Sequence, residues 1–495
     1  MATIELVDVT IRDGNQSLWG ATGLRTAQIL QIAPVMDRVG FRALDYTSST
    51  HMGVAVRNYH EDPWERIRLT RQAMPNSALQ FIGTGLRFIS WEMAHPEFMQ
   101  LVYDRLAVDG IDRVVVLDPM HDIDAAIESA RMLRQAGIRE IIGALVYTIS
   151  AVHDDQFYAN LARQMAACPD IDCVYVKDPA GLLTSEKAKS LLTAVRAELG
   201  GKPLELHSHC TIGLSSASYA VAADLVDVLQ VACGPLSNGS SLPDAQMTVA
   251  NLRELGHSVD IDDQSLGQVS DYFYRLAEAE GLPSGRPQEY DAAFLRHQVA
   301  GGVMTTARRQ LRELGMQDRF DAVMDEVSHV RADLGYPIMV TPFPQMVCSQ
   351  ALFNVIGSER YGNVPDQVIR YVQGRFGRPA GPVDPEVLDR ILNLRRAKEL
   401  ESEPPPRTPA ELRRQFGARM SDEELILRAT MPNDQVDSMI AAGPARRHYT
   451  PEVQPILGLL KELQKRPQVS EFMVEKPGLK ISARSHSRRA PNAAA

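Results

Sequence analysis

Long apolar runs are missing from this chain: nothing in its 495 residues approaches the ~18 uninterrupted apolar residues of a membrane-spanning helix. No membrane insertion is expected. The opening "MATIELVDVTIRDG" lacks a basic stretch followed by an apolar one, so no secretory leader is predicted and a cytoplasmic protein is expected. Cysteine is scarce. Cys168, Cys173, Cys210, Cys233 and Cys348 are odd in number and never spaced C-x-x-C, which argues against a disulfide framework and for free thiols in a reducing compartment. An excess of positive charge is also lacking: 52 Lys and Arg against 62 Asp and Glu give a net charge of −10, which argues against nucleic acid or an anionic membrane as the main partner. Only the tail "SARSHSRRA" is basic.

What is present suits a globular enzyme, with 44% hydrophobic and 23% charged residues and enough length for two or three domains. Eight short, apolar, often β-branched stretches fill the first half: "IELVDVT", "RALDYTS", "LQFIG", "RVVVLD", "EIIGALVYT", "CVYVKD", "LELHSH" and "VLQVACG". Amphipathic segments such as "TAQILQIAPVMDRVG" and "DAAIESARMLRQAG" lie between them, each closed by glycine. Eight β–α repeats predict a (β/α)8 TIM barrel. A doubly wound sheet would place a Gly-rich phosphate loop after the first strand, where this chain has "TIRDGNQS".

Reactive groups of such barrels stand at the C-terminal ends of the strands. That rule selects Arg12 and Asp13 after the first strand, Asp118 after the fourth, Lys177 and Asp178 after the sixth, and His207 and His209 after the seventh. On an extended strand His207 and His209 project to one side and can grip one metal ion. An isolated H-x-H also arises on solvated strands, so the other ligands must come from elsewhere. Lys177 has two readings: an ion pair with an acid such as Asp178, or a desolvated amine that reacts with CO2 to give a carbamate.

Five segments in order, "VDVTIRDGNQS", "VYVKDPAGLL", "LELHSHCTIGLS", "RHQVAGGVMT" and "TPFPQMVCSQALFNVIGSERY", resemble the carboxyltransferase component of biotin-dependent enzymes. The family includes pyruvate carboxylase, the oxaloacetate decarboxylase α subunit and the metal-containing subunit of transcarboxylase. The resemblance covers about residues 4 to 430. It implies a divalent metal, Zn, Mn or Co, held by Asp13, a carboxylated Lys177, His207 and His209. It further implies carboxyl transfer between carboxybiotin and a small 2-oxo acid through an enolate. Arg12 would neutralise developing charge, Gln16 would lie near the substrate, and Thr305 would shuttle a proton between substrate and biotin.

Departures from the family pattern fall on the substrate side. Thr84 stands where the family has the arginine that holds the substrate carboxylate, and Arg87 is the nearby replacement. Asn15 replaces a histidine before Gln16. After the fourth strand Asp118 is retained, while His121 replaces an asparagine. The expected substrate contacts are therefore Gln16, Thr84, Arg87 and Asp118.

The domains expected are a barrel over 1–288, an α-helical funnel over 289–430 and a short C-terminal tail over 431–495. Within the tail "EVQPILGLLKELQKR" reads as an amphipathic helix and "EFMVEKPGLKISA" as a hairpin, either a packing appendage or a partner docking element. Ser421 and Glu424 have capping-box spacing, which predicts a helix start. No biotinylation motif and no ATP-dependent biotin carboxylase module is found in the sequence. A biotin carboxyl carrier protein and a biotin carboxylase subunit are the implied partners, and the resemblance implies a homodimer or larger complex. Two other functions fit the class: a biotin-independent metal-dependent lyase or aldolase, and a non-catalytic scaffold of a carboxylase complex.

Overall fold

The computed structural model describes residues 3–89, 93–299, 301–313, 315–450, 459, 463, 466, 471–476 and 479–484. Eight parallel strands close into a barrel in sequence order: β1 (Glu5–Asp8), β2 (Ala43–Ser48), β3 (Ala78–Gly83), β4 (Arg113–Val116), β5 (Glu140–Val146), β6 (Cys173–Asp178), β7 (Leu204–Ser208) and β8 (Val228–Val231). The β1–β8 pairing, Glu5 opposite Val228 through Asp8 opposite Val231, completes the closure. Helices shield the outside, so the strands are buried on both faces. That is why they read as continuous apolar runs.

Each of the eight predicted stretches contains a strand, but the first, fourth, fifth and eighth strands stop two or more residues short of the stretch, and two of these bear on the site. The first stops at Asp8, and Thr10–Gly14 winds into a π-helical turn. Arg12 and Asp13 therefore stand on that turn and not on the strand. The cause is local: the Asp8 carboxylate accepts from the Thr10 backbone N–H at 3.2 Å and from its hydroxyl, which draws the backbone out of the ladder. The fourth stops at Val116, two residues before Asp118. Its following helix, Ile123–Ala136, is capped by Asp122 and closed by Gly137 at φ +95°, a left-handed position that suits glycine.

Inside the barrel, alternation places Cys173, Tyr175 and Lys177 on one line of β6, and Glu205 and His207 on one line of β7. Val115, Leu117, Ile142, Ala144, Val146, Cys173 and Tyr175 form one apolar group in the lumen, and Val7, Val9, Ala43, Val228 and Ala232 form another. Arg113, Glu205 and Gln230 are also fully buried in the lumen.

Beyond the barrel the chain is helical, with a second core that runs from Val299 to Leu400. After the exposed proline-rich stretch at 402–408, the helices Pro409–Phe416, Asp422–Thr430 and Asn433–Ala442 turn back. Leu412, Leu425, Ile426, Val436 and Met439 join the core of the barrel, not the second core. Ser421 caps the helix start as its spacing predicts, accepting from Glu424 N–H at 3.2 Å. In the tail, β9 (Glu471–Lys476) and β10 (Leu479–Arg484) form the expected antiparallel hairpin. The amphipathic segment at 452–466 lies outside the described residues, apart from three isolated positions. All five cysteines are buried and free. Among the described residues no helix is long and apolar enough to cross a membrane.

A candidate metal centre at the barrel mouth

Asp13, His207 and His209 converge at the C-terminal rim. One ligand atom from each lies within 4.8 Å of the others, and all three residues are buried. His207 Nε2 is 3.5 Å from Asp13 Oδ2, and His209 Nε2 is 3.6 Å from Asp13 Oδ1. The remaining nitrogens point away: His209 Nδ1–H donates to the Ser240 carbonyl at 2.6 Å, and His207 Nδ1 meets Gln230 Oε1 at 2.6 Å. Both Nε2 lone pairs thus face the carboxylate. This donor set, one oxygen and two imidazoles with outer hydrogen bonds in place, fits a divalent transition metal.

Lys177 belongs to the same cluster. Its Nζ donates to Asp13 Oδ2 at 3.1 Å and to His207 Nε2 at 2.9 Å. The expected alternative partner, Asp178, points elsewhere. Its carboxylate accepts from Leu182 and Leu183 N–H, both at 2.9 Å, and from the Ser208 hydroxyl at 2.8 Å, which ties the end of β6 to the end of β7. The two strand ends pack closely there. A Cβ on Gly181 would lie 2.3 Å from the His209 carbonyl oxygen, so only glycine fits.

Electrostatics follow from burial and crowding. Burial alone would raise the Asp13 carboxyl, but Arg12 and then Lys177 outweigh it and hold the group well below the usual carboxylate range. Burial pushes the Lys177 amine down, with Arg12 acting in the same direction and Asp13 opposing. Burial and then Lys177 push His207 well below the usual imidazole range. Arg12 bridges two acids, with Nη1 2.8 Å from Asp13 Oδ2 and Nε 2.7 Å from Asp45 Oδ2.

A cavity of about 450 Å³ opens above this cluster. Arg12, Asp13, Lys177 and His209 form its floor, and Gln16, Ser48, Ser49, Thr50 and Thr84 line its walls. Met339, Thr341, Gln345, Cys348 and Ser349 from the helical layer also line it. Gln16 and Thr84 are therefore brought to the site. Arg87 and Asp118 are not. Arg87 Nη1 pairs with Asp118 Oδ2 at 2.8 Å, Arg87 Nη2 donates to the Phe376 carbonyl at 2.7 Å, and Asp118 Oδ1 accepts from Met120 and Asp122 N–H. This buried pair does not line the cavity. His121 accepts from Val146 N–H at 2.8 Å, and Asn15 accepts from Gly23 N–H at 3.0 Å. Thr305 falls on the helix Gly301–Glu313, but its side chain lies outside the described residues.

Sequence reasoning passed over Asp45, Ser17, whose hydroxyl donates to Asp13 Oδ1 at 3.0 Å, and the buried polar set Arg113, Glu205 and Gln230. A signal was available: charged residues inside apolar strands, with Glu205 in phase with His207.

A closed parallel barrel with a carboxylate–lysine–histidine cluster on its C-terminal rim, beneath a cavity of ligand size, defines an enzyme of small-molecule chemistry. Residues 294–452 match the conserved carboxylase domain. Over 489 residues the chain is 31% identical to the B subunit of pyruvate carboxylase from Methanocaldococcus jannaschii, covering 97% of this chain and 84% of that protein. It is 28% identical to the 2-oxoglutarate carboxylase large subunit of Hydrogenobacter thermophilus, covering 90% and 70%. Its fold matches the carboxyl transferase domain of Rhizobium etli pyruvate carboxylase with a TM-score of 0.77 at 25% identity, covering 90% of this chain and 78% of that one. Of a longer chain of that enzyme it covers 45%, about half. The R. etli domain has also been solved with pyruvate and biocytin. The chain belongs to the family of biotin-dependent carboxyltransferases that includes the B subunit of pyruvate carboxylase.

Proposed function

We propose that this chain moves a carboxyl group between carboxybiotin, presented by a separate biotin carboxyl carrier protein, and a small 2-oxo acid. The observation that carries this reading is the Asp13–Lys177–His207–His209 cluster at the floor of a cavity walled by both barrel and helical layer. Asp13, His207 and His209 would hold a divalent cation, with Lys177, as its carbamate, supplying a further oxygen. The amine lies within hydrogen-bond distance of two of those ligands, and carbamate formation turns a competing cation into an anionic donor. A cation held there supplies Lewis-acid stabilisation of the negative charge that develops on the substrate oxygen.

The chain's own groups have the remaining tasks. Arg12, fixed by Asp45, sets positive charge beside the reacting oxygen, and Gln16 orients the acid. In transfer to the acceptor, the N–C bond of carboxybiotin breaks to give CO2 and a biotin anion. Thr305 would carry the proton lost from the acceptor's carbon to that anion. The resulting enolate carbon then forms the new C–C bond with CO2. The helices between 289 and 401 are read as the funnel that admits the biotin arm, with a biotin carboxylase subunit recharging the carrier. On the acceptor side the wall is neutral, because among the described residues no lysine or arginine lines the cavity beyond Arg12 and Lys177, and both of these belong to the cluster at its floor. Hydroxyls such as Thr84 would meet the acceptor's carboxylate.

Metal analysis combined with oxaloacetate decarboxylation by the isolated chain tests this reading. Bound metal and a rate that rises with free biotin are expected. Bound metal without a biotin response would mark a lyase, and neither would mark a scaffold.

A further inference from the structure

Below the metal-ligand cluster, the barrel lumen holds three polar side chains that the carboxyl-transfer chemistry does not use, and they form a line that ends on the ligand His207. Arg113 on β4 donates through Nη2 to Glu205 Oε2 on β7. Glu205 Oε1 in turn accepts from Gln230 Nε2 on β8. Gln230 Oε1 meets His207 Nδ1 at 2.6 Å. Arg113, Glu205, Gln230 and His207 are each fully buried, so no water competes for these bonds.

The direction of every bond in this line is fixed by chemistry. A guanidinium only donates, and a carboxylate paired to it only accepts. Gln230 must therefore turn its NH2 group toward Glu205, which leaves its carbonyl oxygen facing His207. An oxygen acceptor at that point requires the proton on Nδ1. The far side of the ring agrees: Lys177 Nζ, another donor, lies 2.9 Å from His207 Nε2, which must then be the unprotonated nitrogen. The Tyr175 hydroxyl adds a second donor to Gln230 Oε1 at 3.4 Å.

We propose that Arg113, Glu205 and Gln230 are positioning residues: a one-way hydrogen-bond relay that locks His207 in its Nδ1–H tautomer and keeps the Nε2 lone pair ready for a divalent cation. The inference rests on the metal-dependent reading above, but its test does not use turnover. Its most specific consequence is a reversal. In Glu205→Gln the new amide oxygen accepts from Arg113, so its NH2 group donates to Gln230. Gln230 must then accept with its oxygen and present NH2 to His207. The ring becomes an acceptor at Nδ1, and its proton moves to Nε2, where it blocks ligation. The double variant Glu205→Gln with Gln230→Glu restores the original direction, since the carboxylate introduced on β8 accepts from both the amide introduced on β7 and His207. Both variants remove the acidic partner of Arg113 at position 205 while leaving Glu140, 3.0 Å from Arg113 Nε, in place. The difference between them isolates the relay from the ion pair.

The experiment uses metal-stripped full-length chain, titrated with Co²⁺ alone and followed by its visible absorption, alongside histidine side-chain ¹⁵N NMR of the same metal-free samples. Glu205→Gln should weaken Co²⁺ binding by roughly 10- to 100-fold, the usual cost of losing an outer partner of a histidine ligand, and the double variant should regain most of it. The wild-type spectrum should show His207 protonated at Nδ1, and the Glu205→Gln spectrum should show it at Nε2. Wild-type His207 protonated at Nε2, or equal Co²⁺ affinity in wild type and Glu205→Gln, overturns the relay. If Glu205→Gln does not fold, the wild-type tautomer alone decides. Should the relay hold while the metal-loaded wild type shows no biotin-stimulated decarboxylation, the functional reading fails and the relay stands.

Discussion

The rim of the barrel has two sides built from the same residue types and put to different use. After β1, Arg12 lies beside Asp13; between β3 and β4, Arg87 lies beside Asp118. In each pair the nitrogen–oxygen distance is 2.8 Å and both partners are buried. Asp13 still faces two imidazoles, a lysine and a cavity. Asp118 has spent its second oxygen on two backbone N–H groups, and Arg87 has spent its second nitrogen on the Phe376 carbonyl of the helical layer. A buried ion pair becomes a site when one partner keeps lone pairs for a ligand. Otherwise it joins layers.

Breaking the open pair should have the largest effect. Asp13→Ala should release the metal and lower carboxyl transfer by more than about 100-fold, beyond the usual cost of losing an outer-shell partner. Metal analysis and the biotin-stimulated assay check this. Retained metal would show that the histidines hold it with Lys177 alone.

Breaking the closed pair should cost stability and leave the metal in place. Asp118→Asn keeps an oxygen for Met120 and Asp122 N–H but leaves Arg87 buried without its counter-charge, a loss of about 3–5 kcal/mol. Urea unfolding measures it. If the variant is as stable as the parent but its KM for the acceptor rises sharply, Arg87 serves the substrate and the contrast between the two pairs is wrong.

How far each side could be read in the sequence follows from the same physics. The strands were legible because burial on both faces makes them continuous apolar runs, and the open side was legible because Asp13, His207 and His209 are polar residues where such runs end. An ion pair of Lys177 with a nearby acid is one of its two readings, and the acid is Asp13, not Asp178, which strand alternation already separates from it: Lys177 shares a line with Tyr175, and Asp178 faces the other way. Arg113 and Glu205 stood in the quoted strands, but attention to strand ends passed over their middles. Arg87 was not legible. Its fate depends on a carbonyl 289 residues along the chain, and nothing local encodes that. The return of 409–442 to the barrel was hidden in the same way, since a proline-rich stretch marks a break and not a destination.

Acid should weaken the closed side through its buried histidines. His121 and His153 pack together near β5 on the closed side, and burial pushes them to about 3 and about 4, with His153 adding to the shift of His121 and Arg331 to that of His153. Both values are depressed, so above the free imidazole value of about 6.5 the rings are neutral in folded and unfolded chains alike and stability is unaffected. Below it the unfolded chain takes up protons that the folded one refuses. Stability then falls by up to about 1.4 kcal/mol per pH unit per ring until the folded value is reached. Unfolding midpoints at pH 7.5 and 5.5 should show the drop, and His153→Gln should shrink it. An equal drop in that variant would assign it to other groups.

The smallest effect is expected at Thr84, and it bears most directly on the contrast. If the acceptor's carboxylate is met by hydroxyls and not by a cation, Thr84→Val removes one hydrogen bond to a charged group while keeping shape. KM should rise roughly tenfold with kcat unchanged, the kinetic sign of about 1.5 kcal/mol of binding shared by ground and transition states. Thr84→Arg then asks whether charge is tolerated where the hydroxyl stands. A lower KM for a 2-oxo acid would place the carboxylate against β3. An unchanged KM in both variants would move it toward the β1 side of the cavity, where Gln16 and Ser17 lie on the short helix Asn15–Trp19, and the open side would then hold both the metal and the acceptor.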